Sequence, residues 1–204
     1  MKIGILISGR GSNMVAIAEA VNSGAIPDSE VAVVISDRPK APGLEKAAAL
    51  GLKTSAIPRN GRSRSEHDAE IVRELKKHDV ELVCLAGYMR LLSTDFVRVF
   101  PNRIVNIHPS LLPSFKGLNA HEQAIEYGVK VSGCTVHFVD EHLDHGAIIL
   151  QKAVEIDDED TAESLSRKII KHEHASYVES IRRIVEGEIE IVGRKVGKKA
   201  AGDE

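Results

Sequence analysis

The chain has 204 residues, of which 43% are hydrophobic and 28% charged, with a formal net charge of -3 and a pI near 6.3. This length suffices for one α/β domain with a substantial core, and the mild acidity excludes a dominant nucleic-acid surface. With 3% aromatics and no tryptophan, a stacking platform for bases or sugars is also excluded.

After Met1 and Lys2, only five mostly apolar residues precede Ser8, too few for a signal peptide or a membrane span. A cytoplasmic protein with no membrane partner is expected. Residues 2–7, KIGILI, read as a buried first strand. SGRGSN follows at 8–13, and MVAIAEAVNSG reads as a helix stopping near Gly24. A strand, a glycine turn and a helix start together offer free backbone N–H groups to an anion. Gly11, Ser12 and Asn13 are therefore candidates to hold one phosphate. The turn lacks the GK[ST] of a Walker A loop, and Met14 occupies the third glycine position of a dinucleotide fingerprint.

Residues 30–36 form a second strand, followed by Asp37 where a ribose-binding acid lies in dinucleotide folds. A helix over 41–51, a third strand over 52–58 and a polar loop over 58–66 come next. Ser65 with Asp68 suggests a capping box for a helix reaching about Lys77. Residues 80–86, VELVCLA, are a fourth buried strand running into GYMRLLS. Gly87 allows close backbone approach. Met89, Leu91 and Leu92 pack as core or form an apolar wall for a flat heterocycle. A short helix covers 94–100.

Residues 103–117, RIVNIHPSLLPSFKG, carry the candidate chemistry. In a strand, Asn106 and His108 share a face and Ile107 takes the other. Pro109 removes a donor and ends the strand. An amide and an imidazole thus stand together at a strand's carboxyl end, where α/β sheets bind ligands. A helix follows from about Asn119 to Gly128. VSGCTVHFV alternates, with Thr135, His137 and Val139 on one face. The acidic turn DEHLDHG at 140–146 leads into 147–156, its expected antiparallel partner. Asp160 and Glu163 suggest a capping box for the last helix. Glu173 falls on that helix's apolar stripe, where a carboxylate is costly unless paired; it binds a ligand or a protein cation. The basic end, 193–204, is expected as a frayed tail.

Cys84 and Cys134 sit apart in apolar runs, as buried thiols of a reducing compartment do. Nine histidines show no metal-ligand spacing: HEQA at His121 lacks the second His of HExxH, and His172 and His174 face different ways. No metal is expected. If the 140–146 hairpin folds over the strand end, Asp144 meets His108, favours its protonated form and helps it donate to a developing oxyanion. No activated nucleophile is evident, because Ser110 lies outside a GxSxG elbow. Direct transfer of an acyl-like group between two bound substrates is favoured.

The stretches ISGRGSN, LAGYMRLLS, NIHPSLLPSFKGLNAHEQAIEYG and VHFVDEHLDHGAIILQ resemble the folate-dependent formyltransferase family over essentially the whole length. The first of them points to the members that act on glycinamide ribonucleotide in purine biosynthesis. The resemblance implies an α/β fold, with a Rossmann-like, mostly parallel twisted sheet, helices on both faces and an antiparallel hairpin toward the C-terminal half. It implies one domain over 1–204, with a ribonucleotide phosphate half (1–100) and a catalytic, folate-binding half (101–192). The co-substrate is 10-formyltetrahydrofolate, the assembly a monomer or homodimer. Asn106 and His108 would bind the formyl oxygen, with His108 as acid and Asp144 tuning it and aiding proton transfer. Gly11, Ser12 and Asn13 would hold the phosphate, Glu173 the ribose, and Gly87 would approach the same substrate. The folate would lie among Arg64, Met89, Arg90, Leu91, Leu92, Asn106, Val139, Asp140, Glu141, His142, Leu143 and Asp144. Lys116, His142 and His145 depart from the usual pattern, and a cis Leu112–Pro113 bond is implied. The alternatives are a formyltetrahydrofolate hydrolase, which needs no amine acceptor, and a non-catalytic nucleotide-binding domain, against which Met14 argues.

Overall fold

Runs such as IGILI (3–7) and LVCL (82–85) carry no polar side chain, as strands covered on both faces must. The structure, a computed structural model, describes residues 1–199. Its elements in order are β1 (Lys2–Ile7), α1 (Ser12–Asn22), β2 (Glu30–Ser36), α2 (Pro42–Ala49), β3 (Thr54–Ala56), α3 (Arg64–Lys77), β4 (Leu82–Leu85), α4 (Thr94–Val99), β5 (Ile104–His108), α5 (Ala120–Tyr127), β6 (Val131–Phe138), β7 (Ile148–Glu155), α6 (Ala162–Val185), β8 (Ile189–Val192) and β9 (Lys195–Lys198). One sheet of nine strands runs β3-β2-β1-β4-β5-β6-β7-β9-β8. β1 to β5 are parallel; β6 pairs antiparallel with β5 and with β7. The chain leaves β1 toward β2 and β3, then returns on the other side to β4 and β5. The gap between β1 and β4 is therefore the switch point where such sheets bind ligands.

Alternate strand residues feed two cores. On one face Ile3, Ile5, Cys84 and Val105 meet Ile17 of α1 and Ile169, Tyr177 and Ile181 of α6. On the other, Leu6, Val33, Val83 and Ile104 meet Leu75 of α3 and Phe96. Each fully buried Ile or Leu contributes about 1.5–3 kcal/mol. Tyr177 buries a hydroxyl as well, which donates to the carbonyls of Leu85 (3.1 Å) and Val105 (2.9 Å). This bonds α6 to the last residues of β4 and the middle of β5.

Three local expectations are corrected. The cap of α3 is Ser63 with Glu66, not Ser65 with Asp68. In SRSEHD both pairs have the capping spacing, and the earlier one wins because Asp68 is buried accepting the Ser93 N–H at 2.6 Å. α6 is capped by Thr161 with Ser164, not by Asp160 with Glu163; Asp160 accepts instead from Lys168 and Ser164. The expected tail from Gly193 contributes β9 as far as Lys198, paired with β8 through Ile191 and Val196. The rest of that tail, from 200, lies outside the described residues. The Leu112–Pro113 bond is cis.

Candidate functional site

β5 places Asn106 and His108 on one face at its carboxyl end, and antiparallel β6 sets His137 opposite Asn106 and Thr135 opposite His108. His137 is buried, and desolvation pushes its pKa down, so the neutral ring is favoured. Its Nδ1–H donates to the Phe138 carbonyl at 2.8 Å, leaving Nε2 as an acceptor for the Asn106 amide Nδ2 at 3.2 Å. That contact sets which end of the Asn106 amide points into the site. Asp144 arrives from the turn after β6 in the left-handed region, φ 44. Its Oδ2 lies 3.5 Å from His108 Nδ1 and its Oδ1 lies 3.8 Å from His137 Nε2. The Gly117 N–H donates to Asp144 Oδ2 at 2.8 Å, and His108 Nε2 contacts the Phe115 carbonyl at 2.8 Å. Both ring nitrogens of His108 thus face oxygen, an arrangement that suits a proton donor. Phe115 holds φ 51, a strained conformation for a bulky residue. Thr135 Oγ donates to the Ser110 carbonyl (2.7 Å) and accepts the Leu112 N–H (3.0 Å). These two bonds fix the loop that carries Phe115.

The turn between β1 and α1 lies at the same carboxyl end of the parallel strands. Gly11 is left-handed, φ 71, and α1 begins without any side-chain cap on its N–H groups, as an anion seat requires. The start of α2 closes over this turn: the Gly43 N–H donates to the Gly9 carbonyl at 3.0 Å. Glu173 comes to the same place on α6. Its Oε2 accepts from Asn13 Nδ2 at 2.8 Å, and among the described residues no cation pairs with it. Burial raises its pKa, which the Asn13 bond only partly offsets. The protein-cation alternative is thereby removed, and a buried carboxylate with one neutral partner faces the phosphate turn.

Asp37 does not reach toward a ribose. It is buried, accepts from Ser8 Oγ (2.6 Å) and from Arg90 Nε (2.6 Å), while Ser8 Oγ accepts the Met89 N–H (2.9 Å). The Ser8 N–H also donates to the Gly87 carbonyl at 3.1 Å. This network ties the phosphate turn to residues 87–92. Arg90 is thus committed to Asp37. Met89 and Leu91 are half exposed, and with Arg64, Arg90, Arg59 and His67 they line a cavity of about 220 Å³. Leu92 packs into the second core instead. A larger cavity of about 380 Å³ lies behind the loop, lined by Leu111, Phe115, Tyr127 and Ser132; it contains none of the predicted site residues.

Along the 139–144 stretch, the Val139 N–H donates to the Ile104 carbonyl, Glu141 pairs with Arg98 at 3.4 Å and Leu143 is exposed. Asp140 accepts from the His142 N–H and contacts His145 Nδ1 at 2.7 Å. Partial burial opposes ionisation of Asp140, but those two partners outweigh it and hold its pKa below the usual value. Sequence reasoning missed two features. His137 was visible only as an alternating residue until its strand was paired with β5. The Asp140, His142 and His145 cluster has a spacing outside the familiar metal motifs.

The family profile described as Formyl transferase matches residues 1–181. The chain belongs to the formyl transferase family. It is 50% identical to a solved glycinamide ribonucleotide transformylase 1 from Symbiobacterium toebii, covering 97% of this chain and 93% of that one, with a TM-score of 0.95. It is 40% identical to the phosphoribosylglycinamide formyltransferase of Bacillus subtilis (strain 168), over 90% of this chain and 94% of that protein. It is also 44% identical to the trifunctional purine biosynthetic protein adenosine-3 of Gallus gallus, spanning 94% of this chain and 19% of that longer protein. A formyltetrahydrofolate deformylase from Pseudomonas syringae shares the fold at 27% identity and a TM-score of 0.89, this chain spanning 65% of it. The α/β architecture with an antiparallel C-terminal part is that of the solved formyl transferases. No helix among the described residues is long and apolar enough to cross a membrane.

Proposed function

We propose that this chain transfers the formyl group of 10-formyltetrahydrofolate to the amine of glycinamide ribonucleotide in de novo purine (IMP) biosynthesis. The observation that carries this is the meeting of Asn106, His108 and Asp144, with His108 Nδ1 3.5 Å from Asp144 Oδ2, beside a phosphate-ready turn. The amine nitrogen attacks the formyl carbon and a C–N bond forms. The carbonyl oxygen gains charge, and Asn106 Nδ2–H and His108 donate to it; His108 exchanges the Phe115 carbonyl for this oxygen. The attacking nitrogen loses a proton toward Asp144, directly or through water. The bond from carbon to N10 of the folate then breaks, the oxyanion returns to a carbonyl, N10 takes the proton that Asp144 received from the amine, directly or through water, and formylated amine and tetrahydrofolate leave. The full proton count balances without a covalent enzyme intermediate.

In this proposal Gly11, Ser12 and Asn13 hold the phosphate, Glu173 accepts from ribose hydroxyls, and Gly87 borders the ribonucleotide. Met89, Leu91, Arg64 and the 139–144 stretch enclose the folate. Arg90 lines the same cavity and also braces that loop on Asp37 through its Nε. Residues 1–100 serve mainly the ribonucleotide and 101–192 the chemistry. Both cysteines are free and buried, which fits the reducing cytoplasm where we place the reaction. Losing one oxyanion donor typically costs about 10²–10³ in kcat. His108→Ala and Asp144→Ala are therefore expected to lower formyl transfer at least that far, with unfolding midpoints near wild type. Full activity in a folded variant would refute the roles.

A further inference from the structure

The turn between β6 and β7 carries three converging side chains, two of them, Asp140 and His142, in the stretch proposed to enclose the folate, and none with a part in the proton transfers proposed above. Asp140, His142 and His145 each bring one ligand-type atom within 4.8 Å of the other two. His145 Nδ1 lies 2.7 Å and His142 Nδ1 3.9 Å from the Asp140 carboxylate oxygens, and the imidazole rings stand edge to face at 5.1 Å. Ligands bonded to one ion at about 2.0–2.2 Å lie roughly 3.3 Å apart in a tetrahedral array, and the two measured separations bracket that value. The turn brings the Asp-x-His-x-x-His spacing together by curling back through the His142 N–H bond to Asp140 and the positive φ of Asp144. The cluster already gathers a cation. The Arg194 guanidinium lies against the His145 ring, with Nη1 2.7 Å from Nε2, and Nη2 donates to the His145 carbonyl at 2.6 Å.

We propose that Asp140, His142 and His145 form a binding site for one divalent transition-metal ion of the zinc, cobalt or nickel class. Two imidazole nitrogens and one carboxylate are a donor set for such ions, whereas magnesium and calcium take oxygen shells. The ion replaces the proton between His145 Nδ1 and Asp140, that proton moving to Nε2 so that the ring binds neutral. Arg194, pressed on the same ring, opposes the incoming charge and must swing away. Three protein ligands leave positions open for water or an anion.

The test is titration of the full-length, untagged chain with zinc chloride by calorimetry, and with cobalt chloride by visible absorption. One equivalent is expected to bind; His142→Ala and His145→Ala should each weaken binding about tenfold or more, since losing even a residue that only supports a ligand costs about 10–100-fold, while Arg194→Ala tightens it. A large excess of magnesium should not displace the cobalt spectrum. Urea midpoints near wild type show that the variants are folded. Zinc binding that is absent, or equally tight in both histidine variants, would overturn the site, as would weakened binding in Arg194→Ala.

Discussion

Asp37→Ala removes the joint between the phosphate turn and the 87–92 loop. The side chain of Asp37 is 2% exposed and that of Arg90 35%. The Ser8 hydroxyl bonded to the buried carboxylate is worth about 1.5–3 kcal/mol. The partly exposed Arg90 can turn to water, so its pairing adds only about 0.5–1 kcal/mol. The loss is therefore roughly 3 kcal/mol, a drop in Tm of about 6–12 °C for a chain of this size. Asp37→Asn keeps an acceptor for Ser8 and loses only the charge, so it should cost about 1 kcal/mol. Urea unfolding of the three proteins, with a shared m-value, gives both numbers. The loosened Met89 to Leu91 wall should also raise the KM for the formyl donor more than it lowers kcat. An Asp37→Ala loss below about 0.5 kcal/mol, the usual range for inconsequential surface changes, would refute the bracing role. Equal costs for the two variants would show that charge rather than hydrogen bonding dominates.

Gly11→Ala forces a Cβ to 2.9 Å from Gly43 Cα at φ +71, and should cost roughly 2–3 kcal/mol and raise the KM for the ribonucleotide. A Cβ at Gly9 meets nothing within 4 Å, so Gly9→Ala is the control, near wild type in urea. Glu173 holds its proton more tightly folded than unfolded, since burial raises its pKa. Its folded form therefore binds more protons above the ordinary carboxylate range, and stability there falls as pH rises. Glu173→Gln keeps an acceptor for Asn13, so it should be more stable than wild type near neutral pH while losing ribonucleotide affinity; a less stable Gln variant would contradict this. His121, His137 and His174 have pKa values lowered first by burial. The unfolded chain takes up their protons at about pH 6.5, so stability should drop as pH falls through that value. Urea midpoints that stay flat from about pH 8 to pH 5.5 would count against those buried neutral rings.

The strands that build the site were legible because they are covered on both faces, which makes β1 after Lys2, and all of β4, unbroken apolar runs. Asn106 and His108 were legible from a period of two closed by Pro109. Asp144 was placed by a hairpin, and it arrives at His108. His137 was not, because its role depends on β6 pairing beside β5, a contact between residues some thirty apart. The role of Asp37 was not legible, since a carboxylate after β2 suits a ribose or a buried bond to Ser8 and Arg90, and only tertiary packing chooses. β8 and β9 escaped notice because their short, half-exposed alternation, as in Ile189 to Val192, resembles a polar tail.

The central claim is that the Asn106, His108 and Asp144 cluster delivers a formyl group to an amine held beside the Gly11 turn. The most direct measurement incubates the protein with 10-formyltetrahydrofolate, with and without glycinamide ribonucleotide, and follows tetrahydrofolate, formate and formylated amine together. Tetrahydrofolate and formylated amine appearing in equal amounts, only when the ribonucleotide is present and with no free formate, is the predicted result. Formate released at the same rate without the ribonucleotide would contradict it and assign the fold to hydrolysis.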